Sequence, residues 1–224
     1  IIRGHRIVVV EIRPVRYSAT LGELEVTSEI SLRLSLSGSD MTRTNSEADR
    51  LNSAPFNQIL QPTVLNYNQD RPLASAKPVE RILIITADMF QADLADFVTL
   101  KESQGFTTSV VNLTTVGGNT TASIKNYIKT QYLGANPPDY VILVGDYYPG
   151  NAADLTNWNF RTDSGFRTDL HYYTMDSETE FVPDIFGGRF PVRTVSQLTA
   201  MIDKYLAYQD LSGVEPWIKK AEFL

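Results

Sequence analysis

Residues 29–37 alternate strictly. Ile30, Leu32, Leu34 and Leu36 fall on one face, and Ser31, Arg33, Ser35 and Ser37 on the other. A period of two marks a half-buried strand with one wet face. Residues 7–12 (IVVVEI) are β-branched and apolar, and Leu24 and Val26 make a shorter strand after a turn at Gly22. Residues 1–37 therefore read as antiparallel β. The next stretch, 38–78, shows no clear period and is rich in Ser, Asn, Asp and Pro. So long an aperiodic segment is unusual inside a compact domain. It reads as a linker, with Phe56, Ile59, Leu60, Val64 and Leu65 docking onto a neighbour.

From residue 79 the pattern changes. Residues 79–86 (VERILIIT) form a continuous apolar strand, and Asp88 stands as the expected N-cap of a helix with Gln91 three residues on. Phe90, Leu94, Phe97 and Val98 make the helical stripe, stopped at Gly105. Residues 107–113 give a second strand. Thr120 or Thr121 caps a helix bearing Ile124, Tyr127, Ile128 and Gln131, closed near Gly134, and residues 140–145 (YVILVG) give a third strand. Residues 183–189 offer another short strand. Residues 195–209 form the clearest helix, on Leu198, Met201, Ile202, Tyr205 and Leu206. A further strand is expected from Lys219 onward. Strands apolar on both faces that alternate with amphipathic helices predict a parallel sheet covered by helices.

Composition narrows the chemistry. The 224 residues carry 20 basic and 26 acidic side chains, a formal charge of −6, which is not the basic excess of a nucleic-acid binder. No apolar run reaches the roughly 20 residues of a membrane-spanning helix. There is no cysteine, so these residues contain no disulfide, thiolate metal site or cysteine nucleophile. Two histidines, His5 and His171, argue against a multi-histidine zinc site. His171, among Leu170, Tyr172 and Tyr173, reads as a packed residue more than an acid–base group. The segment Gly117-Gly118-Asn119-Thr120-Thr121 lacks the lysine of a phosphate loop and reads as ordinary capping.

Two acidic features remain. Asp146 follows an apolar strand at the end where α/β sheets collect ligands, although a loop Asp more often turns or caps backbone. Residues 176–184 hold four carboxylates in nine positions: Asp176, Glu178, Glu180 and Asp184. Alternating carboxylates with an interposed carbonyl suit a hard, oxygen-seeking cation such as calcium. Spacing alone fits a solvated acidic hairpin equally well.

YVILVGD at 140–146, TDLHYY at 168–173, PDIFGGRFPV at 183–192 and LTAMIDKYLAYQD at 198–210 together resemble the amino-terminal half of gingipain-type cysteine peptidases. RGHRIVVVEIRPVRYSATLGELEV at 3–26 resembles the end of that family's β-rich propeptide. The resemblance implies an α/β, caspase-like (clan CD) parallel-sheet domain half at 79–224, preceded by an antiparallel β propeptide segment at 1–37 and a linker or processing region at 38–78. It implies a secreted or cell-surface cysteine endopeptidase zymogen acting on protein and peptide substrates. The catalytic His and Cys would lie beyond Leu224, in the remaining catalytic half of the same protein, so no catalytic residue is assigned here. It also implies a calcium site formed by Asp146, Asp176, Glu178, Asp184 and the Val182 carbonyl, with Glu180 as the rival of Glu178. A sorting transpeptidase of the same family and a non-catalytic adhesion or scaffold protein with a degenerate peptidase fold are the alternatives. Within 38–78, Arg50-Leu51 is the expected processing bond, ahead of Arg43-Thr44 and Arg71-Pro72.

Overall fold

A computed structural model of the chain describes residues 1–35, 37–38, 40–67, 79–159, 167–177 and 179–209. Its centre is a four-stranded, all-parallel sheet in the order β4-β3-β5-β8. The strands are β3 (Arg81–Thr86), β4 (Thr107–Asn112), β5 (Tyr140–Val144) and β8 (Phe186–Phe190). Ile82 to Ile85 and Thr86 on β3, with Val141, Leu143 and Val144 on β5, are buried. Burial on both faces explains why the central strands read as apolar runs without alternation. The expected strand at 107–113 and helix at 195–209 appear as β4 and as α7 (Val195–Gln209).

The connections are helical. A turn of 3₁₀ geometry at Asp88–Phe90 and another at Ala92–Leu94 lead into α3 (Ala95–Ser103), so the expected stripe is present with Phe90, Leu94 and Phe97 buried. Asp88 does not cap it. Its carboxylate accepts from the Thr114 amide (3.0 Å) and hydroxyl (2.7 Å), tying the ends of β3 and β4 together. After β4 come α4 (Leu113–Val116) and α5 (Thr121–Leu133), which Thr120 caps through the Ser123 amide. The β5 to β8 connection carries the short pair β6 (Trp158–Asn159) and β7 (Arg167–Thr168), then α6 (Leu170–Tyr173). Crossovers between parallel strands are right-handed as a rule, which puts α3 on one face of the sheet and α5 on the other, where α5 packs against α6. The α7 helix packs beside α3, where the Phe97 ring meets Phe190 and Tyr205 edge-on at 5.3 and 5.4 Å. The sequence FGGRF on β8 has its reason here: the Tyr173 ring lies against Gly187, where a Cβ would overlap it.

The amino-terminal part departs from expectation. Among its described residues only β1 (Val15–Ser18) and β2 (Glu23–Val26) form a ladder, antiparallel. Residues 7–12 and the described part of 29–37 form no strand, and their apolar side chains are mostly exposed. A two-stranded ribbon buries too little to hold further strands in register, and no described element covers its apolar side. Residues 38–78 are not wholly aperiodic. They contain α1 (Met41–Arg50), capped by the Asp40 carboxylate, and α2 (Ala54–Thr63), with Pro55 in its first turn. Among the described side chains of α1 only Ala48 is buried, so no apolar stripe marks that helix in the sequence. The expected docking is carried by Phe56 and Leu60, one turn apart and buried, while Ile59 and Leu65 stay exposed. The Arg71-Pro72 bond and the strand expected from Lys219 lie outside the described residues.

Candidate functional site

Order β4-β3-β5-β8 places a topological switch point between β3 and β5, and the crevice outside the carboxyl ends of those strands is where such sheets hold ligands. Ala87-Asp88 and Gly145-Asp146 flank it. Gly145 adopts φ 136°, and a Cβ there would stand 2.9 Å from both the Ala153 carbonyl and the Leu155 Cβ. Glycine thus lets the loop fold back, so that the Leu155 amide donates to the Asp146 carbonyl at 2.8 Å. Asp154 accepts from the Tyr148 amide and from the Asn119 side chain, and Asn119 accepts from the Thr156 amide. The Gly117–Thr121 segment therefore serves capping and loop support, as expected.

Arg189 organises this end. Its guanidinium grips both Asp169 oxygens at 2.7 Å and donates to the carbonyls of Gly145 (2.8 Å), Leu155 (2.9 Å) and Thr156 (3.3 Å). One side chain on β8 thus fixes the loop after β5 and the start of α6. A charged residue inside a short apolar strand was the available sequence signal. Asp146 is already neutralised: Oδ2 accepts from Arg193 Nε at 2.6 Å and Oδ1 from the Tyr147 amide at 2.9 Å. The Arg193 guanidinium lies 4.6 Å from the centre of the Tyr148 ring. His171 sits half-buried on α6, beside buried Tyr172 and Tyr173.

The second acidic feature lies at the other end of the sheet. Asp184 precedes β8 and is fully buried. Its oxygens accept from the Arg3 amide (2.6 Å) and the Met175 amide (2.8 Å). Burial pushes its carboxyl up to about 6 against those two donors, and the nearby charges of Asp176 and Glu180 push the same way. Oxygens of Asp176, Glu180 and Asp184 lie within 4.8 Å of one another. The buried Tyr132 hydroxyl has no hydrogen-bond partner among the described residues, and burial followed by the Asp184 charge raises its pKa.

The structure therefore divides the expected ligand set. Asp176 and Asp184 come together, joined by Glu180. Val182 lies exposed on the same loop, and Glu178 lies outside the described residues. Asp146 is removed from them. It follows β5 by two residues, Asp184 precedes β8 by two, and the strands run parallel with Tyr140 opposite Phe186. At about 3.3 Å per residue the two carboxylates are on the order of 20 Å apart, too far to share an ion. This corrects the five-ligand site expected from the resemblance.

Residues 75–224 match the model of peptidase family C25. Among curated proteins, Lys-gingipain of Porphyromonas gingivalis is 28% identical over 215 residues, covering 92% of this chain and 12% of its own. Gingipain R2 of the same species is 25% identical over 229 residues, covering 99% of this chain and 29% of its own. The chain thus spans less than a third of either relative. A solved structure described as that of a protease aligns with TM-score 0.51 at 28% identity, over 64% of this chain and 30% of that one.

Proposed function

The chain belongs to peptidase family C25, and from that premise we propose that it forms the scaffold part of a secreted or cell-surface, gingipain-like cysteine endopeptidase made as a zymogen. The observation that carries this reading is the parallel sheet lying under the family match, with its carboxyl-end loops tied down by Arg189. Residues 1–37 would be the end of the propeptide. Having no cysteine, these 224 residues cannot supply the nucleophile, which falls to the remaining catalytic half. There a thiolate assisted by His attacks the peptide carbonyl carbon, and backbone N–H groups hold the oxyanion. His then gives its proton to the departing amine, and water hydrolyses the thioester. In this scheme Arg189, Asp169 and Gly145 hold the loops on which a peptide substrate would rest.

Calcium at the acidic loop belongs to the same proposal, in altered form. Asp176, Glu180 and Asp184, with the Val182 carbonyl, would hold the ion, and Asp146 would not. Three carboxylates within 4.8 Å of one another, with Asp184 buried and its carboxyl pushed up to about 6, and a buried hydroxyl nearby without a partner among the described residues suit an oxygen-ligated cation. The ion would neutralise the loop and anchor the start of β8, with no chemical step assigned to it.

The test is to express the protein with its downstream continuation and measure hydrolysis of fluorogenic peptides before and after thiol alkylation. Hydrolysis abolished by alkylation is expected. A continuation that hydrolyses no peptide, or does so after alkylation, overturns the reading.

A further inference from the structure

Residues 1–35 contain a single buried side chain, and it is an arginine: Arg3, 1% exposed, at the amino-terminal end of the sheet. Its Nε donates to the Leu51 carbonyl at 3.1 Å. Nη1 donates to the carbonyls of Pro138 (2.7 Å) and Asp184 (3.0 Å), and Nη2 to Asp139 Oδ1 at 2.9 Å. Phe56 and Tyr132 stand 5.3 and 5.4 Å from the guanidinium carbon. Four acceptors set for a planar fork between aromatic rings suit arginine and do not suit lysine.

Asp139 does not depend on Arg3 for its position. Asp139 Oδ2 accepts from the Arg81 amide at 3.0 Å and the Asp139 carbonyl from the Phe186 amide at 3.0 Å, so the starts of β3 and β8 fix that residue. Pro137 and Pro138 stiffen the approach to it. An Asp139 carboxylate 2% exposed requires a cationic partner. Arg3 meanwhile holds φ 48°, the one non-glycine residue with positive φ among those described, a conformation that persists where surrounding contacts dictate it. Gly4 follows at φ 78°, against the Leu51 side chain.

We propose that the base of the sheet carries an arginine-binding socket, built by Tyr132, Pro138, Asp139, Asp184 and the α1–α2 junction, whose ligand is Arg3 of this chain, and that this one side chain fastens residues 1–35 to the α/β domain. The proposal is independent of the peptidase reading.

The test places a single cleavage site for a sequence-specific protease within exposed residues 28–34 of the full chain. The chain is cut, and size-exclusion chromatography shows whether the amino-terminal fragment stays with the rest. Circular dichroism confirms that the sheet persists in each variant. The wild-type fragment is expected to co-elute, and Arg3→Ala to release it. Arg3→Lys, which keeps the charge and loses the fork, is expected to dissociate at least about tenfold faster, equivalent to one charge-assisted hydrogen bond or more. Should Arg3→Ala not fold, Arg3→Lys and Asp139→Asn decide the question by the same readout. Loss of the wild-type fragment, or equal retention of the wild-type and variant fragments, overturns the proposal.

Discussion

Replacing Arg189 with Lys tests the organisation of the carboxyl end of the sheet. The guanidinium makes five hydrogen bonds, two to Asp169 and three to carbonyls, with its side chain 11% and that of Asp169 21% exposed. An ammonium on a shorter stem reaches one carboxylate oxygen and about one carbonyl. The Thr156 carbonyl keeps the Tyr172 hydroxyl as donor, so the losses fall on the Gly145 and Leu155 carbonyls and on the second arm of the ion pair. Each charge-assisted bond is worth roughly 1.5 kcal/mol or more where water is excluded, and partial exposure trims the ion-pair share. The expected cost is about 3 kcal/mol. Urea denaturation followed by circular dichroism should show a lower midpoint with an unchanged slope. Hydrogen exchange should quicken at the Leu155 and Tyr148 amides while those of β3 stay protected. A loss under about 1 kcal/mol, or faster exchange spread evenly over the sheet, would refute the assignment of this end to Arg189.

Calcium at roughly a hundred times its dissociation constant should raise stability by about 2.7 kcal/mol over a chelator, read as a melting shift. Asp184→Ala should abolish that shift and Asp146→Ala should leave it intact; loss of the shift in both variants would restore the five-ligand arrangement. In chelator, pH acts through Asp184, whose folded-state value of about 6 stands above its ordinary 3.8. Between those values the folded chain holds a proton that the unfolded chain has released, so stability should rise as pH falls from about 6 to about 4, by up to about 3 kcal/mol. Asp184→Asn should flatten this rise, and an equal rise in that variant would rule Asp184 out as its source. Limited trypsin digestion with terminal sequencing should cut first at Arg33-Leu34, both exposed and outside any helix or strand, and not at Arg50-Leu51. Arg50 ends α1 with its guanidinium on the Tyr132 and Gly134 carbonyls, and Leu51 is buried, so a first cut there would mean that α1 opens readily.

What the sequence made legible follows from how each element gains its stability. The parallel strands are buried on both faces and the helices that cover them on one, so β3, β5 and α7 stand out as apolar runs or stripes. α1 is held by the Asp40 cap and by Arg50 reaching the end of α5, interactions that leave no periodic trace. Arg3 is invisible for a related reason: a basic residue near a chain end looks solvated, and only the distant Pro138, Asp139 and Asp184 make it a buried ligand. The misplacement of Asp146 is of another kind, because the information was present. Asp146 follows one apolar strand, and Asp184 stands at the start of the next expected strand, 183–189. Once the sheet is parallel, however, the residue after one strand and the residue before the next stand at opposite edges. A parallel assignment and a shared ion between those two positions exclude each other before any coordinate is known. The acidic loop, which begins just after α6 and ends at β8, can gather only ligands from the amino-terminal edge. Glu180 meets that condition and Asp146 does not.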